Sequence, residues 1–189
     1  MMKKKLGGIN VLYPTPTTIV GAIVEGKPNF ITIAHIGIVN HAKPYLISLS
    51  IAKAHYTNAG IKENKAFSVN IPSEDLVVTT DYVGLVSGKK TDKSKVFEVF
   101  YGDLKKAPMI AECPVNMECK LYDIYDTPTH DLFIGEIFET YADESVLEKG
   151  KVDLARVKPL LFDMSSVKYW SVGQPVAGCW NVGKQMKKR

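Results

Sequence analysis

Residues 48–58 read S-L-S-I-A-K-A-H-Y-T-N and place two hydroxyls, a lysine and a histidine directly before a helical pattern. Strand alternation predicts that Ser48 and Ser50 share one face, and Thr57 is a favourable residue type for the cap of the following helix. A helix N-terminus presents unpaired N–H groups and a partial positive charge, which together suit a phosphate. The segment therefore predicts an anion site. An ordinary threonine cap beside a solvated lysine explains the same residues equally well.

A second basic segment, residues 87–95, reads S-G-K-K-T-D-K-S-K. Gly88 permits a positive φ, and clustered lysines can close over an anion. Read alone, the segment fits a solvated surface loop better than a site.

The histidines and cysteines show no metal-binding pattern. The four histidines form no H-E-x-x-H motif and the three cysteines form no C-x-x-C motif, which argues against a zinc site. An odd cysteine count predicts reduced, packed thiols at Cys113, Cys119 and Cys179. His130 follows the turn-like sequence D-T-P-T and precedes a strand pattern, so we expect it at the rim of a sheet, in a site or on the plain surface.

Short strands dominate the predicted elements. Apolar and polar residues alternate with a period of two in most patterned segments, and the predicted strands cover residues 19–24, 29–34, 45–51, 66–71, 115–125, 132–141, 160–164 and 169–172. The predicted helices are short and cover residues 57–64, 73–83, 92–97 and 153–158. Because they do not alternate regularly with strands, a doubly wound parallel sheet is disfavoured. The pattern predicts a mainly β fold with a few short α-helices, closed as an antiparallel barrel.

Length, charge and missing motifs exclude several classes of protein. A chain of 189 residues with 46% apolar and 23% charged residues is typical of one domain, placed at residues 1–189 with flexible tails at 1–8 and 184–189. Seven of the 24 Lys and Arg residues lie in those tails. This leaves 17 Lys and Arg residues against 20 Asp and Glu residues in the rest of the chain, so no nucleic-acid surface is expected.

No G-x-G-x-x-G motif follows a strand and no P-loop motif occurs, so neither a Rossmann domain nor an NTPase is indicated. No apolar run reaches the roughly 18 residues of a membrane span and no signal peptide is recognised, so we expect a cytoplasmic protein without a membrane partner.

Six segments occur in a characteristic order. They are N-F-I-T-I-A-H-I-G-I-V-N (29–40), H-Y-T-N-A-G-I-K-E (55–63), F-S-V-N-I-P (67–72), T-D-Y-V-G-L-V-S-G-K-K-T-D-K (80–93), A-P-M-I-A-E-C-P-V-N-M-E-C (107–119) and H-D-L-F-I-G-E-I (130–137). Together they resemble the flavin reductase-like, FMN-binding split-barrel proteins, in particular the flavoredoxin and ferric reductase branch. The resemblance covers residues 14–141, with a weaker match at 159–173. The sequence departs from that branch at His35, where an aromatic residue is common, at Lys89 and near His55, where arginine is common, and at Ser94, where phenylalanine is common.

The resemblance implies a Greek-key split barrel that forms a homodimer with FMN at the subunit interface. The implied phosphate site comprises Ser48, Ser50 and Thr57, with Lys53, His55 and Lys93 as charge partners. The ring and ribityl chain would run along Asn29, Phe30, Ile31, Thr32, Ile33 and Ala34, and the implied FMN-binding set also includes Leu49, Tyr56 and Ser87. His130 is the implied catalytic residue, placed near the flavin ring to orient the nicotinamide or to donate to reduced flavin. Tyr169, Trp170 and Trp180 would either cover the ring or fill the core and the dimer interface.

The implied activity is transfer of a hydride from NADH or NADPH to bound FMN, without any metal. Electrons then pass to a ferric chelate, free flavin or a redox protein. Two alternatives remain open at this stage: an FMN electron-transfer protein with little NAD(P)H activity, and a non-enzymatic barrel that binds flavin or haem.

Overall fold

The computed structural model of the chain describes residues 1–188, and strands account for most of its regular structure. The strands are β1 (Thr15–Pro16), β2 (Thr18–Val24), β3 (Lys27–Ile33), β4 (Ile36–Asn40), β5 (Leu46–Ala52), β6 (Ala66–Ile71), β7 (Val99–Phe100), β8 (Met109–Ile110), β9 (Val115–Asp126), β10 (His130–Ala142), β11 (Leu147–Glu148), β12 (Lys151–Val152), β13 (Leu161–Asp163) and β14 (Lys168–Trp170). The α-helices are α1 (Thr57–Asn64), α2 (Val77–Leu85) and α3 (Leu154–Val157), and 3-10 turns cover Glu74–Leu76, Glu144–Val146 and Val182–Lys188.

Seven antiparallel strands form the main sheet in the order β3-β2-β6-β9-β10-β5-β4. The long β9–β10 hairpin pairs Asp131 with Asp126 at one end and Ala142 with Val115 at the other, with two register shifts between. Beyond the end of β3, the carbonyl oxygen of His35 accepts a hydrogen bond of 2.9 Å from the backbone N–H of Ser50 in β5. This bond extends the β4–β5 pairing by one residue. Only residues 34–35 separate β3 from β4, and these two strands stand at opposite ends of the strand order, so the sheet curls into a split barrel.

The interior of the barrel is a single apolar cluster. Alternation in β5 buries Ile47, Leu49 and Ile51 and leaves the side chains between them half-exposed. These side chains pack with others from β2, β3, β6, β9, β10 and α1, including Phe67 and Phe133. Burial of such large apolar side chains, each contributing about 1.5–3 kcal/mol, stabilises the barrel.

Helix α2 and the loop after it cover the outer side of β3. A second cluster of Ile19, Phe30, Val83, Phe97, Ile110 and Cys113 fills the space beneath them. The Thr32 hydroxyl donates to the carbonyl oxygen of Thr80, which fixes α2 along the strand. Since β3 pairs with β2 only, this helix and loop lie beside a free strand edge.

A small sheet of β1, β13 and β14 joins the two ends of the chain. Thr15 pairs with Phe162, and Leu161 pairs with Trp170. The rings of Tyr13, Phe162 and Tyr169 pack in sequence, with centroids 6.4 Å and 5.9 Å apart. The residues before and after the barrel thus form one wall beside it.

The predicted fold class is confirmed: the structure is mainly β, antiparallel, with short helices. The predicted strand pattern is confirmed for the six strands β2, β3, β5, β6, β9 and β10 and, in shortened form, for β13 and β14. The five-residue strand β4 and the two-residue strands β1, β7, β8, β11 and β12 were not predicted. Residues 92–97 form turns and not a helix, because the Asp92 carboxylate accepts from the backbone N–H of Ser94 at 2.9 Å. Thr57 is the first helical residue and not the cap; the capping position belongs to Tyr56, which makes no side-chain cap bond.

The C-terminal segment can be compared with the predicted flexible tail, and the helices can be compared with the length of a membrane span. The predicted tail at 184–189 overlaps the 3-10 turn, and its last residue lies outside the described part of the chain. Within the described part, no helix combines the length and the apolar character that crossing a membrane requires.

Candidate functional site

A groove runs between the free edge of β3, helix α2 and the loop at residues 86–93. It consists of three adjoining cavities with volumes of about 320, 110 and 260 Å³. The first two share His55, Gly84 and Leu85 in their walls, and the last two share Asn29, Tyr56, Gly88 and Lys93. We name them the histidine cavity, the central cavity and the lysine cavity, in that order.

The histidine cavity combines imidazoles with apolar walls. His35, His55 and His130 line it together with Ile33, Leu85, Phe162 and Met164. The rings of His35 and His130 meet edge to face with centroids 6.3 Å apart. The Nδ1 atom of His130 lies 2.8 Å from the hydroxyl of Thr129, which fixes the orientation of the ring and leaves Nε2 for a ligand.

One carboxylate lines the histidine cavity, and a tyrosine engages it. The Tyr169 hydroxyl donates to Oδ1 of Asp81 at 2.9 Å. Burial and the neighbouring Asp81 charge raise the pKa of Tyr169 to about 12. This bond connects the terminal sheet with α2 across the cavity.

The central cavity contains two buried polar anchors. The Asn29 amide donates to the Thr57 hydroxyl at 2.8 Å, and both side chains are buried. Lys93 is 3% exposed as a residue, and its ammonium donates to the carbonyl oxygens of Phe30 and Val83 at 2.9 and 2.8 Å. Burial lowers the pKa of Lys93 to about 8. An ammonium carries three N–H donors, so one is left for a ligand.

The lysine cavity has an excess of positive charge. Four lysines line it against two carboxylates; they are Lys27, Lys89, Lys90 and Lys93 against Glu25 and Asp92. Lys27 lies 3.9 Å from Asp92 in an exposed ion pair, which neutralises one charge of each sign. An anion entering this end therefore meets a net positive potential.

Gly88 brings the loop close to β3. A Cβ at this position would lie 2.1 Å from Oδ1 of Asn29 and 2.8 Å from the Tyr56 ring. Its φ is not positive, so the loop does not use the left-handed conformation that glycine permits. Glycine is needed there because the loop and the strand approach each other too closely for a side chain.

Repulsion between cations is already present in the groove. Partial burial, followed by the positive charges of Lys93 and His130, lowers the pKa of His55. A bound anion would relieve this repulsion. The electrostatics of the groove therefore favour a negatively charged ligand.

Twelve of the sixteen predicted site residues line the groove. They are Asn29, Ile31, Thr32, Ile33, Ala34, Ser50, His55, Tyr56, Thr57, Ser87, Lys93 and His130. Ser50 lies in the histidine cavity and Thr57 in the central cavity, so the predicted phosphate cluster is divided between two places.

Four predicted site residues lie outside the groove walls. Leu49 is completely buried inside the barrel, and Phe30 is completely buried beneath α2 on the outer side of β3, because strand alternation turns each of them into one of the two apolar clusters. The Ser48 hydroxyl donates to the Gly37 carbonyl of β4 at 3.4 Å. Lys53 forms a 2.6 Å ion pair with Asp126, which holds its ammonium at the β9–β10 turn.

Several lining residues were not predicted from the sequence. They include Thr17, Asp81, Leu85, Phe162, Met164 and Lys27. The Thr17 hydroxyl is buried and has no hydrogen-bond partner among the described residues. Nothing in the local sequence marks these positions, because the fold brings them together from distant segments. Among the described residues, no three His, Cys, Asp or Glu side chains form a group that could hold a metal ion.

Comparisons with known proteins agree with this architecture. The crystal structure of flavoredoxin from Methanosarcina acetivorans is 44% identical, covers 98% of this chain and 100% of that one, and superposes with a TM-score of 0.95. Flavoredoxin of Desulfovibrio vulgaris is 36% identical over 96% of this chain and 100% of that one, with a TM-score of 0.89. An uncharacterized protein of Archaeoglobus fulgidus is 31% identical over 157 residues, which are 82% of this chain and 86% of that protein. The sequence profile described as "flavin reductase like domain" matches residues 11–171. The resemblance seen in the six segments is thereby confirmed, and the chain belongs to the flavin reductase like domain family.

Proposed function

We propose that the chain is an FMN-dependent oxidoreductase, which accepts a hydride from NADH or NADPH and passes electrons to a ferric chelate, free flavin or a redox protein. The observation that carries this proposal is the order of the three cavities. A wide cavity with apolar walls leads through a narrow passage to a basic end. FMN has the same order of parts: a flat ring, a polyol chain and a phosphate. Similarity to two flavoredoxins at 44% and 36% identity supports the assignment.

The basic end of the groove fits a phosphate. Lys93 has one N–H donor left after its two backbone bonds. The Thr57 hydroxyl accepts from Asn29, which leaves its own O–H to donate. Lys89 and Lys90 add exposed positive charge beside them. Charge-assisted hydrogen bonds of this kind are about twice as strong as neutral ones.

The wide end of the groove fits a flat ring with a polar edge. Its walls are apolar at Ile33, Leu85 and Phe162, and the free edge of β3 offers backbone N–H groups. The buried Thr17 hydroxyl lacks a partner within the described residues, and a polar edge of the ring would supply one.

The protein's part in the reaction is to bind, orient and exclude water. When bound, FMN supplies the redox chemistry by accepting a hydride from a nicotinamide. Donors on the β3 edge and the Thr17 hydroxyl would hold the polar edge of the ring and would stabilise negative charge there. His130, oriented by Thr129 through Nδ1, holds or moves a proton at Nε2 on the cavity side. The apolar walls limit access of water to the reacting atoms.

We also propose that the working unit is a homodimer. The edge strand β4 exposes Ile38 by 75% and Val39 by 51%, and an unpaired apolar edge is normally covered. The segments at the two ends of the chain also carry exposed apolar side chains, among them Leu12 and Trp180. A second copy of the chain would cover both kinds of surface.

The test begins with the visible spectrum of the purified protein and a titration of the apoprotein with FMN and with riboflavin. We expect flavin bands that persist through gel filtration, and FMN binding at least tenfold tighter than riboflavin binding, because one charge-assisted hydrogen bond contributes about 1.5–3 kcal/mol. Rapid mixing with NADH and NADPH should then bleach the flavin band. Equal affinity for FMN and riboflavin contradicts the phosphate assignment. Tight FMN binding without bleaching identifies an electron-transfer protein instead of a reductase.

A further inference from the structure

Residues 161–171, which we call the terminal wall, form one side of the histidine cavity. They comprise β13, β14 and the turn between these strands, and they supply Phe162, Met164 and Tyr169 to the cavity. Both strands are three residues long, and β13 meets β1 at two residue pairs. Every residue of the terminal wall is half-buried or exposed. A segment with so little buried surface is expected to open more easily than the barrel does.

The seam between the terminal wall and the barrel contains buried hydroxyls without partners. Directly before the wall, the carbonyl oxygen of Leu160 accepts a 2.9 Å hydrogen bond from the backbone N–H of Thr17, and Thr15 pairs with Phe162. The side-chain oxygens of Thr15 and Thr17 are buried and have no hydrogen-bond partner among the described residues. A buried hydroxyl without a partner destabilises the arrangement that buries it. Closing the seam is therefore unfavourable for these two hydroxyls in the apoprotein.

We propose that the terminal wall is a gate for the flavin ring: a ring in the histidine cavity holds the wall closed, and opening of the wall releases the ring. The inference rests on the proposed function, because that function assigns the histidine cavity to the ring and the Thr17 hydroxyl to its polar edge. It adds a means of regulation, since the rate of flavin exchange is then set by the movement of residues 161–171.

A bound ring favours the closed wall in two ways. It contacts Phe162, Met164 and Tyr169, and these contacts exist only while the wall is closed. It also offers a partner to the Thr17 hydroxyl, which makes closing of the seam less unfavourable. Two coupled equilibria change each other by the same factor. A wall that the ring stabilises must therefore tighten the binding of the ring.

A side-chain bond on the α2 side of the cavity acts as the latch of the gate. The Tyr169 hydroxyl of the terminal wall donates to Oδ1 of Asp81 at 2.9 Å. Both side chains line the cavity, so the bond connects its two sides. Because the bond is exposed to water, water competes for both groups and the net stabilisation is small. The wall can consequently open without disturbing the barrel.

The test is amide hydrogen exchange, followed by NMR, of the apoprotein alone and with riboflavin, FMN or inorganic phosphate. We expect riboflavin and FMN each to slow exchange of the Thr17 amide and of the wall amides about 5- to 150-fold, the usual range for coupled sites. The Leu121 amide, bonded to the Lys65 carbonyl oxygen at 2.9 Å, is the control for global stabilisation. Inorganic phosphate has no ring and should leave the wall amides unchanged. Equal slowing at Thr17 and Leu121, no slowing at Thr17, or slowing of the wall by phosphate overturns the proposal.

Two threonine variants separate the gate from general stability. Thr17→Val removes the unpaired hydroxyl, so the wall amides of the apoprotein should exchange about 5-fold more slowly or less readily still, and riboflavin should slow them less than in the wild type. Thr80→Val is the matched control, because its buried hydroxyl is also unpaired among the described residues but does not line the histidine cavity. Equal wall exchange in the two variants overturns the role of the Thr17 hydroxyl. The comparison of ligands on the wild type requires no variant.

The release rate of riboflavin tests the latch. Tyr169→Phe should speed release roughly 5-fold or more in stopped-flow fluorescence, whereas Tyr82→Phe, on α2 and outside the cavity walls, should not. An unchanged release rate in Tyr169→Phe overturns the gate. The two proposals fail separately: a protein that binds no flavin refutes the proposed function, and one that binds flavin without any protection of the terminal wall refutes the gate alone.

Discussion

At the scale of single residues, Lys93 connects stability with the candidate site. Its ammonium joins the carbonyl oxygens of β3 and α2 in the wall of the groove. A charged group that is almost fully buried is costly unless it is hydrogen-bonded, and the lowered pKa of Lys93 reflects this cost. The same side chain therefore both positions the helix and offers a positive charge to a ligand.

Replacement of Lys93 should change how stability depends on pH. The pKa of Lys93 is 10.5 in the unfolded chain and about 8 in the folded one, so between these values the unfolded chain binds the extra proton. The free energy of unfolding of the wild type should then rise with pH, relative to Lys93→Met, by about 1.4 kcal/mol per pH unit from pH 8 to about 10.5. Urea unfolding of both proteins at several pH values measures the difference. Parallel curves would show that Lys93 is not buried with a lowered pKa.

Thr57 should distinguish FMN from riboflavin. Thr57→Ala removes the O–H that is assigned to the phosphate and leaves the buried Asn29 amide without its partner. We expect a loss of about 1–3 kcal/mol in stability and a loss in FMN affinity of roughly 10- to 100-fold, with a much smaller loss for riboflavin. Thr57→Ser keeps the hydroxyl and is the control. Equal losses for both ligands would assign Thr57 to the fold alone.

His130 should affect the rate of flavin reduction more than flavin binding. If it positions the nicotinamide, His130→Ala should slow bleaching by NADH or NADPH about 10- to 100-fold, because misplacement of reacting groups by about 1 Å can cost ~10²-fold. The FMN affinity should stay nearly unchanged. Stopped-flow absorbance compares the variant with the wild type and with His41→Ala. An unchanged rate constant and half-saturation would remove His130 from the candidate catalytic residues.

At the scale of elements, the strands could be predicted from local patterns, whereas the groove depends on a loop that closes against β3. Local patterns predicted the strands well because their alternating side chains are sorted between a core and an outer face, as in β5. They failed for residues 92–97, where Asp92 accepts a local bond that favours a turn. They also missed the engagement of Asp81 by Tyr169, since 88 positions separate the two residues. Eleven of the twelve predicted residues that line the groove belong to the matched segments, and Ser50 belongs to the predicted strand at 45–51. Contacts between segments that are distant in the sequence could not be predicted from local patterns.

Gly88 provides a test of this loop. In Gly88→Ala, the new methyl group would overlap Oδ1 of Asn29, so the loop must move away from β3. Overpacking of this kind costs about 1–3 kcal/mol. Because FMN binding as proposed requires the original loop position, the same cost should lower FMN affinity by roughly 5- to 150-fold. Gly173→Ala is a matched control because a Cβ there meets nothing within 4 Å. Isothermal titration with FMN compares the two variants, and equal affinities would show that the loop is free to shift without cost.

At the scale of the whole molecule, the exposed edge of the sheet predicts the assembly. We expect light scattering to give twice the monomer mass of 20.9 kDa. Ile38→Lys on β4 should shift the protein toward monomer, because a buried, unpaired charge opposes association. Val78→Lys is a matched control, since Val78 on α2 is 76% exposed and Ile38 is 75% exposed. A monomeric wild type that still binds FMN would contradict the homodimer.

The terminal sheet has a consequence for biosynthesis. Its strand β14, with Tyr169, lies after all seven barrel strands in the chain, and its pairing partner β13 joins β1 from the other end. During translation from the N-terminus, the barrel strands leave the ribosome first, and the wall of the histidine cavity is still missing. The Asp81–Tyr169 bond can form only after residue 169 has been synthesised, when all seven barrel strands have already been made. A nascent chain with a complete barrel therefore lacks one wall of the candidate site, so the closed groove should form only after β14 has been synthesised.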